Sequence, residues 1–355
     1  MTANPSAVGA SDGRYSAILV KGTAAVALLV TLLEGMAAVL AAVLMSGALA
    51  GRVKVSTWMV FLVLWVTLVF APLAHMVWSP SGMLSPQGAL SRLMGTQIHD
   101  LSGGAVVWLS AAVSALMVVL IIGRRRSFHV VPLKPHNMPM AMLGALIAWV
   151  GFLGFVGGFA AVEAGTAGVA IYSVLRALIA PAASALGWMI VEKIRTGHFT
   201  ALGAVSGLIA GMAMAAALAD TVGPMWVLVA GLFTGIICSF GASLKYRLGY
   251  DDALDIVPVC GIGGLLGMLF DGLFAQRGGL LTGGGLALFG ANLLTCVIVM
   301  LWSGVLTALV AFVLEKTMGW RLADRDEDLG IDIADQGEKA YDFEDYTNSV
   351  YKEAK

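Results

Sequence analysis

The sequence predicts an all-α membrane protein, a polytopic bundle of about nine transmembrane helices. Hydrophobic residues make up 59% of the 355 residues and charged residues only 12%, whereas roughly a quarter of the residues in a soluble domain are charged. The mean hydropathy is +0.89. Apolar runs of the roughly 20 residues that a bilayer-spanning helix needs recur along the chain. We therefore expect lipid to cover most of the apolar surface.

Nine apolar segments have the length of a membrane span. The first and the last are longer than a bilayer requires, so we expect them to tilt or to extend beyond it. The segments are 17–50, 54–78, 101–122, 138–162, 166–192, 200–219, 223–243, 253–275 and 284–316. They divide the chain into a polar N-terminus (1–16), a transmembrane channel-like domain (17–317) and a cytoplasmic C-terminal tail (318–355). The charged beginning of the tail leaves a solvated, disordered segment as the alternative interpretation.

Basic residues are concentrated in alternate loops. One set of loops carries Arg52, Lys54, Arg124, Arg125, Arg126, Lys134, Lys193, Arg195, Lys245 and Arg247, and the opposite set carries Arg92 and Arg277. Because Lys and Arg accumulate in cytoplasmic loops, this bias places the first set in the cytoplasm. It predicts an external N-terminus and a cytoplasmic C-terminus in the inner (plasma) membrane. The N-terminus lacks the basic start of a signal peptide, so we expect the first apolar run to be retained.

The composition also excludes several functions. A net charge of −1 argues against a nucleic-acid partner. Cys238, Cys260 and Cys296 lie inside apolar runs and match neither a zinc spacing nor a disulfide framework, so they are predicted to be small core residues. No nucleophile–base pair or phosphate-binding loop stands out. We therefore expect no metal, no cofactor and no enzymatic activity.

Six short stretches, in collinear order, carry a resemblance to a known family. They are SGALAGRVK (46–54), PLAHMVW (72–78), DLSGGAVV (100–107), HNMPM (136–140), YRLGYDDALD (246–255) and a tail segment (330–341). They resemble the ends of the third and fourth helices, the starts of the fifth and sixth, the run into the tenth, and the C-terminal regulatory segment of the ammonium transporter (Amt/Mep/Rh) family. The bacterial Amt branch is the most similar. That family usually has eleven helices, so this chain begins at what resembles the third.

The resemblance implies a particular architecture and particular partners. The family fold is an inverted repeat of five and five helices plus a last helix, assembled as a trimer, which implies a homotrimer here. Inverted repeats place the solute path near the midplane between the halves. The implied solute is ammonium or ammonia. In prokaryotic relatives the tail contacts PII-type regulatory proteins, although Gln336 stands where relatives often carry histidine.

Three residues match an outer cation site and a gate of the family. Trp78 matches the outer-site tryptophan, with an interfacial belt residue as the alternative interpretation. Asp100 matches the carboxylate at the start of the fifth helix and is expected to cap the Gly103 and Gly104 amides. Phe155 matches one of two stacked gate phenylalanines, or else packs in the core. Aromatic faces attract cations by roughly 0.5–2 kcal/mol. This attraction can recruit an ion, but by itself it is too weak to remove the ion's water.

Four positions depart from the family pattern. Ala37 stands at the other gate phenylalanine, Phe159 at the outer-site serine, and Trp108 and Cys260 at the two pore histidines. Indole offers only an N–H donor and a thiol a weak one, whereas histidine exchanges a proton near neutral pH. Three interpretations stay open: a sealed pore, a thiol–indole pore for another small solute, or residual passage of ammonia.

Three charged residues lie within predicted spans, namely Glu34, Arg176 and Asp271. Such charges are costly in a membrane and usually face a cavity or each other. We hypothesise that Arg176 pairs with Glu34 and lines an altered vestibule. Asp271 could instead extend its carboxylate towards the interface.

The sequence thus predicts ammonium or ammonia translocation through an atypical pore that lacks the twin histidines. The alternatives are a non-conducting sensor or scaffold relative and a channel for another small solute.

Overall fold

The computed structural model describes residues 13–128, 135–164 and 167–338. Within these ranges the chain is helical apart from its loops and two isolated bridges, Val53–Arg321 and Val222–Ala275. Nine of the described helices are long and apolar enough to cross a membrane. The predicted fold class is therefore confirmed.

The helices are numbered here in chain order. They are α1 (Gly13–Leu49), α2 (Val55–Trp78), α3 (Ala89–Met94), α4 (Gly104–Ile122), α5 (Met138–Ala164), α6 (Ala167–Thr196), α7 (Ala201–Leu218), α8 (Pro224–Leu248, interrupted at Ser243), α9 (Val257–Phe274), α10 (Ala287–Thr317), α11 (Asp324–Leu329) and α12 (Ile331–Ala334). All but α3, α11 and α12 are membrane spans. Their bounds differ from the predicted ones by a few residues at each end.

Three of the membrane helices contain a π-helical turn, which the sequence did not predict. The turns cover Val66–Phe70 in α2, Gly104–Leu109 in α4 and Val257–Ile262 in α9. The turn in α4 follows Gly103, whose φ of +88° suits a residue without a Cβ. The turns of α4 and α9 contain Trp108 and Cys260. π turns are frequent at functional sites, so these two turns are candidates for the functional region.

Successive spans run in opposite directions and define two ends of the bundle. The end where α2 finishes and α4 begins is called the Trp78 face. The end where α1 and α4 finish is called the Arg52 face. The loops that are rich in basic residues all lie at the Arg52 face.

Glycines allow α6, α7 and α8 to pack closely. A Cβ at Gly235 would clash with the Ser184 carbonyl oxygen, and one at Gly211 would meet the Pro181 backbone. Small residues at such contacts let membrane helices approach each other. This packing fixes the half of the bundle against which α4 and α9 are held.

The described part of the tail is packed against the Arg52 face. Trp320 is fully buried, and its Nε1 donates a hydrogen bond of 2.9 Å to the Ala311 carbonyl. The amide of Leu322 donates to the Arg52 carbonyl at 3.2 Å, and Asp335 accepts from the Val55 amide at 3.1 Å. The described tail residues up to 338 are therefore held on the bundle by backbone and side-chain hydrogen bonds, although the side chains from 332 to 338 are exposed, so the alternative of a disordered segment does not apply to them.

Candidate solute pathway

A cavity of about 370 Å³ opens at the Trp78 face between α1, α2, α5 and the loop before α4, and we call it the vestibule. Its wall includes four of the residues that the sequence singled out: Glu34, Trp78, Asp100 and Phe159. His99 also lines it. The structure thus brings two carboxylates and two aromatic side chains to one opening.

Asp100 caps the start of α4 from a buried position. Its Oδ2 accepts hydrogen bonds from the amides of Ala105 (3.0 Å) and Val106 (2.9 Å), and the Gly104 amide also interacts with this carboxyl group. The predicted cap therefore includes Gly104 and extends to the two residues that follow it. Burial raises the pKa of Asp100 to about 7, the amides of Val106, Ala105 and Gly104 oppose the rise, and the charge of Asp271 adds to it. Asp100 can therefore exchange a proton near neutral pH.

Trp78 has a structural contact that the sequence did not reveal. Its Nε1 donates a hydrogen bond of 2.9 Å to the Asp100 carbonyl oxygen. The indole therefore holds the loop that carries the carboxylate, while its ring lies 5.1 Å from the ring of Phe159, centroid to centroid.

A file of aromatic rings leads inwards from the vestibule. Phe159 is in edge contact with Phe155, with centroids 5.0 Å apart, and Phe152 is in edge contact with Trp108 at 6.2 Å. Phe152 was not singled out from the sequence. Its spacing could have identified it, because residues three and four apart lie on one face of a helix.

Trp108 and Cys260 are both buried in the π turns of neighbouring helices. The Nε1 atom of Trp108 has no hydrogen-bond partner within the described part of the chain. A Cβ on Gly264 would lie 3.3 Å from the Trp108 Cβ, and one on Gly261 would lie 3.0 Å from the Ala112 Cβ. Residues 261–264 of α9 are therefore packed directly on residues 104–112 of α4, and Cys260 is next to Gly261.

Ala37 is also fully buried, on α1. It lies one turn beyond Leu33, which contacts Gly158 of α5. The small side chain fits the close packing of α1 in this region.

The hypothesis that Arg176 pairs with Glu34 is wrong. The Arg176 Nη1 donates to the carbonyl oxygens of Ala219 (2.9 Å) and Asp220 (3.0 Å) at the end of α7, whereas Glu34 lines the vestibule. The two side chains lie on different cavities because α6 meets the end of α7 rather than α1 at this level.

Asp271 is buried rather than extended to the interface. Its side chain accepts hydrogen bonds from the Thr221 hydroxyl and, at 2.7 Å, from the Asn292 side-chain amide. These donors satisfy a carboxylate that would otherwise be costly in the membrane.

These features define a polytopic helical membrane protein with a carboxylate-bearing vestibule above a packed interior. The family model described as Ammonium Transporter Family matches residues 6–341. The chain belongs to this family, as its resemblance predicted.

Individual relatives support the same assignment. The ammonium transporter of Mycobacterium tuberculosis is 35% identical over 329 residues, which cover 89% of this chain and 68% of the relative. Ammonium transporter Amt1 of Archaeoglobus fulgidus is 31% identical over 334 residues, which cover 93% of this chain and 82% of the relative.

Solved structures show the same fold. The crystal structure of Candida albicans Mep2 has a TM-score of 0.72 at 28% identity, covering 82% of this chain and 66% of that one. A structure described as a Sensor Amt Protein has a TM-score of 0.75 at 24% identity, and the match covers 84% of this chain and 74% of that one.

Proposed function

We propose that this protein moves ammonium, as the ion or as ammonia, across a cell membrane by a path that starts at the vestibule. Membership of the ammonium transporter family supports ammonium transport. We infer where the path starts from one observation: the wall of a single cavity contains Glu34, Trp78, Asp100 and Phe159.

Recruitment of the cation rests on charge and aromatic faces together. The carboxylate of Glu34 and the carboxyl of Asp100 attract a monovalent cation, and the rings of Trp78 and Phe159 add roughly 0.5–2 kcal/mol by cation–π attraction. This is too little to offset the desolvation of a small ion in hydrocarbon, an idealised cost of about 20 kcal/mol. We therefore assign the vestibule to concentrating ammonium and not to carrying it through the bundle.

The interior offers a different chemistry from a pair of histidines. With Trp108 and Cys260 in the π turns, the pore is atypical, because neither side chain readily takes up and returns a proton at neutral pH. Asp100 is the buried vestibule group whose pKa, about 7, suits that role. We assign proton acceptance from ammonium to Asp100, which then returns the proton to the water of the vestibule, while ammonia continues past the aromatic file.

One observation supports a second candidate, a non-conducting sensor or scaffold relative. Phe155, Phe152 and Trp108 are each at most 5% exposed, and their rings fill the interior beneath the vestibule. Conduction requires these rings to move. A channel for another small solute requires the same movement.

Assembly and orientation complete the proposal. We place the Arg52 face in the cytoplasm on the basis of its basic loops. The family resemblance supports a homotrimer, and the docked tail supports an interaction with a PII-type regulatory protein at that face. The membrane is then the inner (plasma) membrane.

The deciding experiment is flux into reconstituted vesicles. We expect methylammonium and ammonium uptake above that of protein-free vesicles. The double variant Trp108→His/Cys260→His tests whether two imidazoles raise it. Wild-type flux equal to that of empty vesicles, with correctly folded protein, would rule out conduction and favour the second candidate.

A further inference from the structure

A second and larger cavity opens at the Trp78 face, separate from the vestibule. Its volume is about 640 Å³, and its walls come from α6, α9, α10 and the adjoining loops. Pockets of 300–1,000 Å³ are typical of small-molecule sites. Two arginines, two aspartates and a histidine line it beside the phenol of Tyr172, and these charged groups limit what could bind: His99, Arg176, Asp220, Asp271 and Arg277.

Arg176 supplies hydrogen-bond donors to this cavity. The residue is only 6% exposed, and its Nη1 is held by the two carbonyl oxygens at the end of α7. Its Nε is buried and has no partner among the described residues. A guanidinium carries five N–H groups in a planar fork that matches a carboxylate bidentately. A buried cation with donors left over fits a ligand with two planar oxygens.

The acidic residues supply the opposite charge in the same wall. Asp271 is 1% exposed and is held in place by Thr221 and Asn292. Each carboxylate oxygen can accept more than one hydrogen bond, so Asp271 retains acceptor capacity. Asp220 acts electrostatically on Arg176 from the end of α7.

The wall therefore carries two guanidinium groups and two carboxylates, with His99 beside them. An anion alone would meet the two aspartates, and a cation alone would meet the two arginines. A molecule that carries both charges close together is complementary to both halves.

We propose that this cavity binds a small zwitterion of the free α-amino acid class. The ligand's carboxylate lies on Arg176, and its ammonium group points towards Asp271 and Asp220. Ammonium translocation is not needed for this binding. Since His99 lines both cavities, the occupied site lies next to the vestibule.

The test is calorimetric titration of the purified full chain in detergent with glycine and with glutamine. Sodium acetate and ammonium chloride, at matched ionic strength, are the single-charge probes. We expect at least one amino acid to bind at least tenfold more tightly than either probe. Arg176→Lys, which keeps the positive charge but loses the planar pair of N–H donors, should weaken binding about tenfold. Arg247→Gln, an exposed arginine at the Arg52 face, should leave it unchanged.

A second variant avoids the structural role of Arg176 at the end of α7. Val169 lies at the exposed mouth of the cavity, so Val169→Trp should obstruct entry and abolish binding while the unfolding temperature stays unchanged. The proposal is overturned if neither amino acid binds, if acetate or ammonium binds as tightly, or if the Arg176 and Val169 variants both keep wild-type affinity. None of these outcomes depends on flux, so this proposal and the proposed function can fail separately.

Discussion

At the scale of single residues, Asp100 and Trp78 act as one unit. The sequence predicted a capping carboxylate and an aromatic cation site, each by resemblance. It could not predict that the Trp78 indole would hold the backbone of Asp100, because the two residues are separated by 22 positions and meet only in the folded chain. The same contact fixes the carboxyl group at the vestibule wall.

The raised pKa of Asp100 predicts a pH-dependent stability. Its folded-state pKa of about 7 lies above the ordinary value of 3.8, so folding favours the protonated form. The stabilisation is fully present below pH 3.8 and is lost as the pH rises through about 7. We expect the unfolding temperature of the wild type to fall more steeply between about pH 5 and pH 8 than that of Asp100→Asn.

The control for this experiment is Asp324→Asn, at an exposed position in the tail. This variant should show the same fall of the unfolding temperature with rising pH as the wild type. Equal slopes for the wild type and Asp100→Asn would contradict the assignment of a buried, protonatable carboxyl.

Glu34 predicts a change in substrate affinity. Removing its charge with Glu34→Gln weakens the attraction for a cation by about 1 kcal/mol at a solvated site. We therefore expect the ammonium KM to rise by about fivefold while kcat changes little. The KM is measured in the vesicle assay at low ionic strength, with Glu338→Gln in the tail as the matched control. An unchanged KM would remove Glu34 from the recruiting site.

At the scale of elements, the packing of α9 on α4 positions the interior. Gly264 lies against the Gly104 carbonyl and the Trp108 side chain, and Gly104 lies against Ala217 of α7. Glycine at these positions lets α9 and α7 approach the π turn of α4 closely. The hydropathy of these segments predicts a helix, but it does not distinguish a π turn from an α turn, since both bury the same apolar residues.

Gly264→Ala tests this packing. The added Cβ would clash with the Gly104 carbonyl oxygen, which is backbone and cannot rotate away. We expect a loss of about 1–3 kcal/mol in the free energy of unfolding, the usual effect of overpacking. Gly144→Ala is the control, because a Cβ there meets nothing within 4 Å. Equal unfolding temperatures for both variants would show that the α4–α9 contact has room for an added methyl group.

At the scale of the whole molecule, an ion cluster ties the loops of the Arg52 face together. Asp251 accepts hydrogen bonds from Arg52 Nη1 (3.2 Å) and Arg125 Nε (2.8 Å). Burial pushes the pKa of Asp251 up, but the hydrogen bonds and charges of Arg125 and Arg52 outweigh it and hold the pKa below its usual range. Burial lowers the pKa of Arg52 to about 10, against the opposing charge of Asp251.

Removing the shared carboxylate should destabilise the whole chain. Asp251→Ala leaves Arg52 fully buried without its partner charge, which typically costs about 3–5 kcal/mol. Thermal unfolding of the purified protein measures the loss. The double variant Arg52→Ala/Asp251→Ala should lose less than the sum of the single variants, because the buried charge is removed as well. Strict additivity would mean that the pair is not coupled.

The membrane environment makes much of this fold predictable from the sequence. Backbone groups in lipid must bond within their own segment, so nine apolar runs imply nine helices with little freedom. The docked tail and the partner of Arg176 depend on contacts between distant segments, which no local pattern carries. For the candidate site, Trp78, Asp100 and Phe159 came from a family resemblance, whereas their union with Glu34 in one cavity required the folded chain.

The π turns also affect how insertions and deletions act on this chain. Each π turn is wider than the α turn it replaces and accommodates an added residue. One residue corresponds to about 100° of rotation around a helix axis. Deleting one residue between 104 and 109 would therefore leave the hydropathy of α4 unchanged but turn Ser114 about 100° away from Trp65, whose indole donates to it at 3.0 Å. Chain length within these turns is thus a determinant of which side chains face the interior, as much as residue identity is.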